Sequence, residues 1–431
     1  MIGTLRPCCL ATLRISSGRY PVYYRWKALL SLCFIIYVAG LAPPASVHQR
    51  ATIGHPAGVP TLHGERVADE LFSSSLEGLG ELLGGVGRAK MVWKALSQGR
   101  DPLDSGESSN LLTPKTEEVL RGTFKDMPWK VVREAASPCG TRKLLLKLED
   151  GLEAETVIIP DVAGTRSTVC VSSQIGCARA CQFCMTGKMG FIRNLTTAEI
   201  LAQVYFSRRC VREHQMPTLS NVVFMGMGEP LSNQQAVQTT LERLIDPHMF
   251  AVAKKKISVS TVGPSPEAIR LMGAMPARLA WSVHAATDNV RRYLVPTTRH
   301  TMVELRDAFS DVFKGRGREH LFVEVALIQG VNDSEEMAHE LADLLRPLPT
   351  RASINLLPLN DIGHPTFKAS TPEAVRAFQD VLVQEGYIAT IRSARGTSES
   401  AACGQLATTS HTRRELRTAE PDRNDGPSLT G

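Results

Sequence analysis

From Ser167 to Pro358 six apolar runs alternate with amphipathic stretches, and this alternation constrains the fold more than any other feature of the chain. The runs are STVCVSS (167–173), NVVFMG (221–226), KISVSTV (256–262), RLAWSVH (278–284), LFVEVAL (321–327) and ASINLLP (352–358). Between most of them lie helical patterns such as TTAEILAQVYFSRRC, QQAVQTTLERLI and SEEMAHELADLLRPL. Strands separated by connections of that length do not pair as hairpins; they pair in parallel through right-handed crossovers. The pattern predicts an α/β fold, a partial (β/α)6 barrel of the TIM type. Its chemistry belongs on the loops that leave the strands' C-terminal ends.

The flanks read differently. Residues 65–130 carry helical apolar spacing (Val67, Leu71, Leu76, Leu79, Leu82, Leu83), which predicts a helical accessory domain. Within 131–166, TRKLLLKLEDG and AETVIIPD are β-type runs parted by turn residues, a small β-hairpin extension. The barrel domain then spans 167–406, with YIATIRSARG (387–396) as a further strand candidate. Residues 407–431 are polar and charge-balanced, as in a disordered tail.

Residues 1–64 hold six of the 49 basic residues and none of the 43 acidic ones, so basic and acidic groups balance from Glu65 onward. The net charge of +6 is thus a property of the N-terminus and says nothing about a nucleic-acid partner for the folded body. Local patches remain candidates: Arg208-Arg209, Lys254-Lys255-Lys256 and Arg291-Arg292. The 15-residue apolar run Ala28–Ala42 follows a basic stretch and is short for a membrane span, which needs ~20 residues. It reads as the core of a signal peptide, and the acid-free segment behind it as a transit peptide. The mature protein is expected to have no stable membrane association.

The ten cysteines are too unevenly spaced for a disulfide scaffold. Three of them, Cys177, Cys181 and Cys184, form a C-x3-C-x2-C pattern within GCARACQFCMTGKMGF (176–191), directly after the first barrel strand. A structural zinc site fills four positions, usually with two paired knuckles, and no second knuckle follows here. Three thiolates around a 4Fe–4S cluster would leave one iron open to an external ligand, although zinc is also compatible with the bare spacing. MGMGEP (225–230) ends the second strand: Gly226 and Gly228 clear side chains from its mouth, and Glu229 offers a carboxylate to a cationic group. Ser260, Ser282, His284 and Asn360 stand at or near the ends of the third, fourth and sixth strands. Polar groups converging on one barrel rim mark a binding site.

Taken together, CVSSQIGCARACQFCMTGKMGFIRNL, NVVFMGMGEPLSN, WSVHAATD, INLLPLN and RGTSESAACGQL resemble the RlmN/Cfr family of radical S-adenosylmethionine (SAM) RNA methyltransferases. The similarity covers about residues 115–408. It implies that Cys177, Cys181 and Cys184 ligate a 4Fe–4S cluster whose open iron chelates SAM. It also implies that Gly228, Glu229, Ser260, Ser282, Val283, His284 and Asn360 bind SAM. By the same resemblance Cys403 is the cysteine that becomes methylated, Cys170 a second catalytic cysteine and Glu155 a proton acceptor.

The resemblance further implies a target: an adenine ring carbon in 23S-type rRNA, and in tRNA. Carbon-2 is favoured over carbon-8, because the wider similarity is to RlmN. Such a carbon is not nucleophilic enough to take a methyl from SAM directly. The family therefore spends two SAM molecules, one to methylate Cys403 and one to generate the radical that activates that methyl group. Attack by Cys170 on the Cys403 sulfur then frees the base and leaves a disulfide to be reduced. The expected partners are the RNA and an electron donor such as flavodoxin or ferredoxin; the expected state is a monomer.

An oxygen-sensitive cluster enzyme acting on RNA has no use for secretion, so the N-terminal segment is expected to direct import into an organelle with its own ribosomes, a plastid before a mitochondrion. A fluorescent protein fused behind residues 1–70 should enter that organelle in imaged cells. A reporter that stays in the cytosol rejects the expectation.

Overall fold

The computed structural model describes residues 71–408, apart from 109, 110, 125, 126, 128 and 394. The expected targeting segment, residues 1–64, and most of the expected C-terminal tail lie outside the described residues.

Four helices come first: α1 (Leu76–Leu83), α2 (Val86–Ser97), α3 (Ser105–Ser108) and α4 (Pro114–Thr123). Three antiparallel strands follow, β1 (Lys130–Ala136), β2 (Arg142–Lys147) and β3 (Glu153–Pro160). The barrel begins with β4 (Ser167–Cys170), then a small side pair, β5 (Gln174–Gly176) and β6 (Phe191–Asn194), which brackets α5 (Met185–Met189). Alternation continues through α6 (Thr197–Glu213), β7 (Leu219–Phe224), α7 (Gln234–Ile245), β8 (Ile257–Thr261), α8 (Pro266–Met272) and β9 (Arg278–Ser282). It ends with α9 (Asp288–Leu294), α10 (Met302–Lys314), β10 (Leu321–Leu327), α11 (Glu335–Leu345), β11 (Ala352–Pro358), α12 (Pro372–Gln384) and β12 (Ile388–Ile391).

One ten-stranded sheet runs in the order β1-β2-β3-β4-β7-β8-β9-β10-β11-β12. From β4 to β12 every neighbouring pair is parallel, the partial barrel that the alternation predicts. Helix starts follow sequence signals: Thr196 and Thr301 make capping boxes with Glu199 and Glu304, and α4, α8 and α12 open on Thr-Pro or Ser-Pro pairs. Among the described residues no helix is long and apolar enough to cross a membrane.

The structure departs from the sequence expectations in three respects. First, β12 adds a seventh parallel strand beside β11. Second, the β-hairpin extension gains β1 and is no separate layer, because β3 pairs antiparallel with β4 and continues the barrel sheet. That pairing sets Val157 opposite Cys170, and the Asp161–Thr165 stretch is absorbed in the turn between the strands. Third, two of the basic patches are not free surface. Arg291 is fully buried, and Arg208 spends its guanidinium on the carbonyls of Ser97 and Phe250 while Arg209 pairs with Glu107 and Glu213. Lys254 and Lys255 are exposed and Lys256 half-buried, but they immediately precede β8 and so lie at the opposite end of the strands from the cysteine loop.

The accessory helices dock through aromatics. Trp93 of α2 packs edge-on against Phe72 and Phe250, and Phe72 in turn meets Trp129 and Tyr205 of α6. Trp93 is completely buried. Trp93→Ala is expected to cost about 3–5 kcal/mol, seen as a lower midpoint in chemical unfolding. A midpoint unchanged from the parent protein would show that this contact does not hold the helices on the barrel.

Candidate active site

Cys177 leaves β5, and Cys184 caps α5, so the three cysteines sit on one short loop at the C-terminal end of the barrel. The loop is held by its backbone. Cys177 N–H donates to Gly190 O (2.9 Å), Cys184 N–H to Cys181 O (3.1 Å) and Gln182 N–H to Leu294 O (3.0 Å). Gly176 has φ +69°, and a Cβ there would stand 1.8 Å from Gly190 O, so only glycine lets the loop close. Cys177 and Cys181 are buried, and no cysteine among the described residues is in a disulfide. Burial pushes the Cys177 thiol up to about 12, with Glu229 and Cys184 adding to it, and Cys181 is raised by burial and by both neighbouring cysteines.

Beside the loop, Glu229 follows β7 and is almost completely buried. Its Oε1 accepts from Thr261 Oγ1 (2.7 Å) and Leu231 N–H (3.0 Å), and its Oε2 from Val262 N–H (3.0 Å). One lone-pair direction on Oε2 is left for a cationic group. Burial raises its pKa and those hydrogen bonds oppose the rise. The two glycines before it allow a close approach of the chain. A Cβ on Gly226 would meet Val171 O at 2.7 Å, and one on Gly228 (φ +99°) would meet Gln174 Cβ at 2.6 Å. They let the exit of β7 pass against the segment that follows β4.

The rim residues lie at the strand exits. Ser260 and Ser282, on β8 and β9, share a hydroxyl hydrogen bond of 3.0 Å. Val283 is buried and donates its N–H to Glu324 O (3.0 Å). His284 takes a left-handed φ of 57° and accepts at Nδ1 from Ala326 N–H (3.1 Å), which leaves its proton on Nε2. Burial, and then the Arg291 charge, hold its pKa well below the usual value, so the ring is neutral. Asn332 fixes the backbone on either side, donating to His284 O (2.6 Å) and Ala326 O (2.7 Å). Asn360, past β11, donates to Cys403 O (2.9 Å).

The segment around Cys403 is laced to these elements. Met185 N–H donates to Gly404 O (2.7 Å), Thr186 Oγ1 to Leu406 O (2.6 Å), and Ala407 N–H to Glu155 Oε2 (2.8 Å). Glu155 is buried, its other oxygen ion-paired with Lys143 at 2.8 Å, and burial raises its pKa against that partner. Cys170 packs in an apolar cluster with Val157, Met227, Ala401 and Leu406. Its thiol is pushed up to about 12 by burial and then by Cys403. Cys403 is exposed at the loop's surface, yet surrounding protein, then Cys184 and Glu324, raise its thiol while Arg392 opposes them.

Sequence reasoning missed two residues. Arg291 is buried and donates to the carbonyls of Ser282 (2.9 Å), Val283 (2.6 Å) and Val262 (2.5 Å), tying the exits of β8 and β9 together. Glu324 is a buried carboxylate inside the barrel; Asn355 donates to its Oε1 (2.8 Å), and its Oε2 has no hydrogen-bond partner among the described residues. A charged residue in the middle of LFVEVAL was the available signal.

A sequence profile of the Radical SAM superfamily matches residues 171–344. The chain is 37% identical over 340 residues to the "Dual-specificity RNA methyltransferase RlmN" of Dinoroseobacter shibae, an alignment covering 77% of this chain and 85% of that protein. The protein of the same name from Ruegeria sp. is 37% identical over 339 residues, covering 77% and 84%. The chain belongs to the RlmN family of radical SAM RNA methyltransferases. A radical SAM methyltransferase structure from Sphaerobacter thermophilus superposes with a TM-score of 0.72 at 36% identity, covering 78% of this chain and 99% of that one.

As in other RlmN-family radical SAM proteins, the cofactors are a 4Fe–4S cluster and SAM. The residues present fit both. Three soft thiols share one loop, and Arg179 Nε is buried beside them with no hydrogen-bond partner among the described residues, a donor suited to sulfur. Gly228→Ala strains a positive φ and collides with Gln174, so it should weaken SAM binding at least about tenfold through Glu229 misplacement while the iron content stays unchanged. Equilibrium binding of SAM beside an iron assay checks this; unaltered affinity would show that Gly228 does not position the site.

Proposed function

We propose that this RlmN-family enzyme methylates carbon-2 of an adenine in 23S-type rRNA, and in tRNA, through a methyl group carried on Cys403. The observation that carries the reading is the placement of Cys403: its loop is hydrogen-bonded to the cysteine loop through Gly404 and Leu406 and to the SAM-side rim through Asn360. A lone loop cysteine would need no such anchorage. In support, both relatives named above are called dual-specificity RNA methyltransferases.

Cys177, Cys181 and Cys184 would hold the cluster, and Glu229, Ser260, Ser282, Val283, His284 and Asn360 would hold SAM, with Gly228 shaping the turn. Bound together, cluster and SAM supply one-electron cleavage chemistry. The rest falls to the chain's own residues. Cys403 gives up its thiol proton and takes a methyl from the sulfonium of SAM, becoming a thioether. Cys170, on β4, would attack the Cys403 sulfur, breaking its bond to the transferred carbon and releasing the modified base. Glu155, raised by burial and held by Lys143 and Ala407, is the group suited to accept the ring proton. The resulting Cys170–Cys403 disulfide would be cleared by reduction, and a flavodoxin or ferredoxin would supply electrons to a monomeric enzyme. Residues 1–64 would deliver it to a plastid.

Two measurements test this. The Cys170→Ala protein is expected to accumulate a covalent RNA adduct, a nuclease-sensitive shifted band on a denaturing gel, and Cys403→Ala to form none. If neither variant forms an adduct, the two-cysteine route fails. Mass spectrometry of RNA from the parent reaction should show 2-methyladenine rather than the 8-methyl isomer.

The second concerns pH. A thiol raised to about 12 is mostly protonated at neutral pH, and its thiolate fraction climbs tenfold per pH unit below that value. Single-turnover methylation of Cys403, followed by mass spectrometry of the intact protein, should rise with a slope near one between about pH 7 and pH 9. A flat profile would mean that the thiol is already ionised when the methyl arrives.

A further inference from the structure

At the other end of α6, away from the active site, three side chains of metal-binding chemistry meet. Cys210 stands in the last turn of α6 and His214 at its C-cap, four residues on, a spacing that puts both on one face. Glu134 comes against them from β1: His214 Nε2 stands 2.9 Å from its Oε1, and Cys210 Sγ stands 3.7 Å from the same oxygen. The three ligand atoms lie within 4.8 Å of one another. Tetrahedral zinc with bonds of about 2.0–2.3 Å holds its ligands roughly 3.5 Å apart, so small side-chain adjustments separate this arrangement from a coordination sphere.

The surroundings fit a dication. Cys210 is buried, whereas Glu134 and His214 are exposed, which gives an ion a way in and leaves a side open for water as fourth ligand. The Glu134 carboxylate attracts positive charge, and Arg142 of β2 already lies against its Oε1. The Arg142 side chain is itself partly exposed and can swing into solvent when a metal takes that oxygen. Sulfur, nitrogen and oxygen donors together favour zinc over magnesium or calcium. Nothing in the methyl-transfer chemistry uses these residues, and α6 runs from the active-site end of the barrel down to the strands' N-terminal ends.

We propose that Glu134, Cys210 and His214 form a zinc site that fastens the β-extension to α6. Binding exchanges the Cys210 thiol proton for the metal: zinc enters, one proton leaves, and no oxidant or reductant is needed. The site would clamp β1, an edge strand of the sheet, to the helix behind β4.

The test uses full-length protein with its cluster assembled anaerobically, freed of loosely held metal and titrated with zinc. About one zinc per chain should survive gel filtration in addition to the iron. His214→Ala and Cys210→Ser should weaken zinc binding by more than about tenfold with iron content unchanged. Cobalt in place of zinc should give a thiolate-to-cobalt absorption that Cys210→Ser lacks. Zinc should raise the melting temperature of the parent protein and not that of His214→Ala. Because Cys210 is buried and its variant can fold poorly, the exposed His214 carries the decision. No retained zinc in the parent protein, or equal zinc in His214→Ala, overturns the proposal.

Discussion

The active site depends on one set of hydrogen bonds, those that hold the 401–407 segment against the cysteine loop and its neighbours. This segment lies past β12, the last strand of the sheet, and belongs to no strand or helix itself, so chain connectivity alone would leave Cys403 free to wander. Three parts of the chain remove that freedom: α5, the loop after β11, and β3. Gly404 and Leu406 are bound by α5, Cys403 by Asn360 beyond β11, Gln405 by Asp361 O (2.7 Å), and Ala407 by Glu155 of β3. Each bond is worth only about 0.5–1.5 kcal/mol, but together they offset the entropy of fixing a surface loop. Reaction between Cys403 and a bound group depends on that placement, since small displacements cost large factors in rate.

The same economy explains the buried charges. Glu229 and Arg291 both lie where isolated ions would be costly. Each is instead held by several groups at the exits of β7, β8 and β9: Glu229 accepts from Leu231 N–H, Thr261 Oγ1 and Val262 N–H, and Arg291 donates to the carbonyls of Ser282, Val283 and Val262, the last on the same residue. A carboxylate and a guanidinium therefore brace one peptide segment from opposite sides. The rim that carries Ser260, Ser282 and His284 is rigid because two ions need it to be.

Much of this was legible in the sequence, and the reasons are physical. Strand-helix alternation reports chain direction and crossover length directly, so the parallel barrel followed from it. Cys177, Cys181 and Cys184 are close in sequence, and a loop of that length cannot separate them far. Arg291 was misread because a basic residue beside Arg292 looks like surface charge, and only the fold reveals three carbonyls turned toward it. Gly226 and Gly228 were recognised as special positions, but whether a missing Cβ admits a ligand or another strand is a three-dimensional fact. The strand β1 was missed because it is exposed along nearly its whole length and shows no alternation of burial. Glu324 was passed over because its strand reads as apolar on either side.

Thiol crowding links the parts. After burial, the largest cause at each thiol, Cys170 is raised by Cys403, Cys403 by Cys184, Cys177 by Cys184, and Cys181 by Cys184 and Cys177, so any one thiolate makes the next harder to form. Burial acts in the same direction at each of them. A protein arranged this way keeps its thiols protonated until positive charge arrives among them, because only a cation reverses both penalties together. Metal at the cysteine loop and a sulfonium at the rim are such cations. Occupancy of the cofactor site and ionisation of Cys403 are then one linked equilibrium: whatever binds more tightly to the thiolate form must also lower the thiol's pKa. The chain thereby guards its most reactive cysteine without covering it, leaving Cys403 open to a large substrate yet unreactive until the site around it is filled.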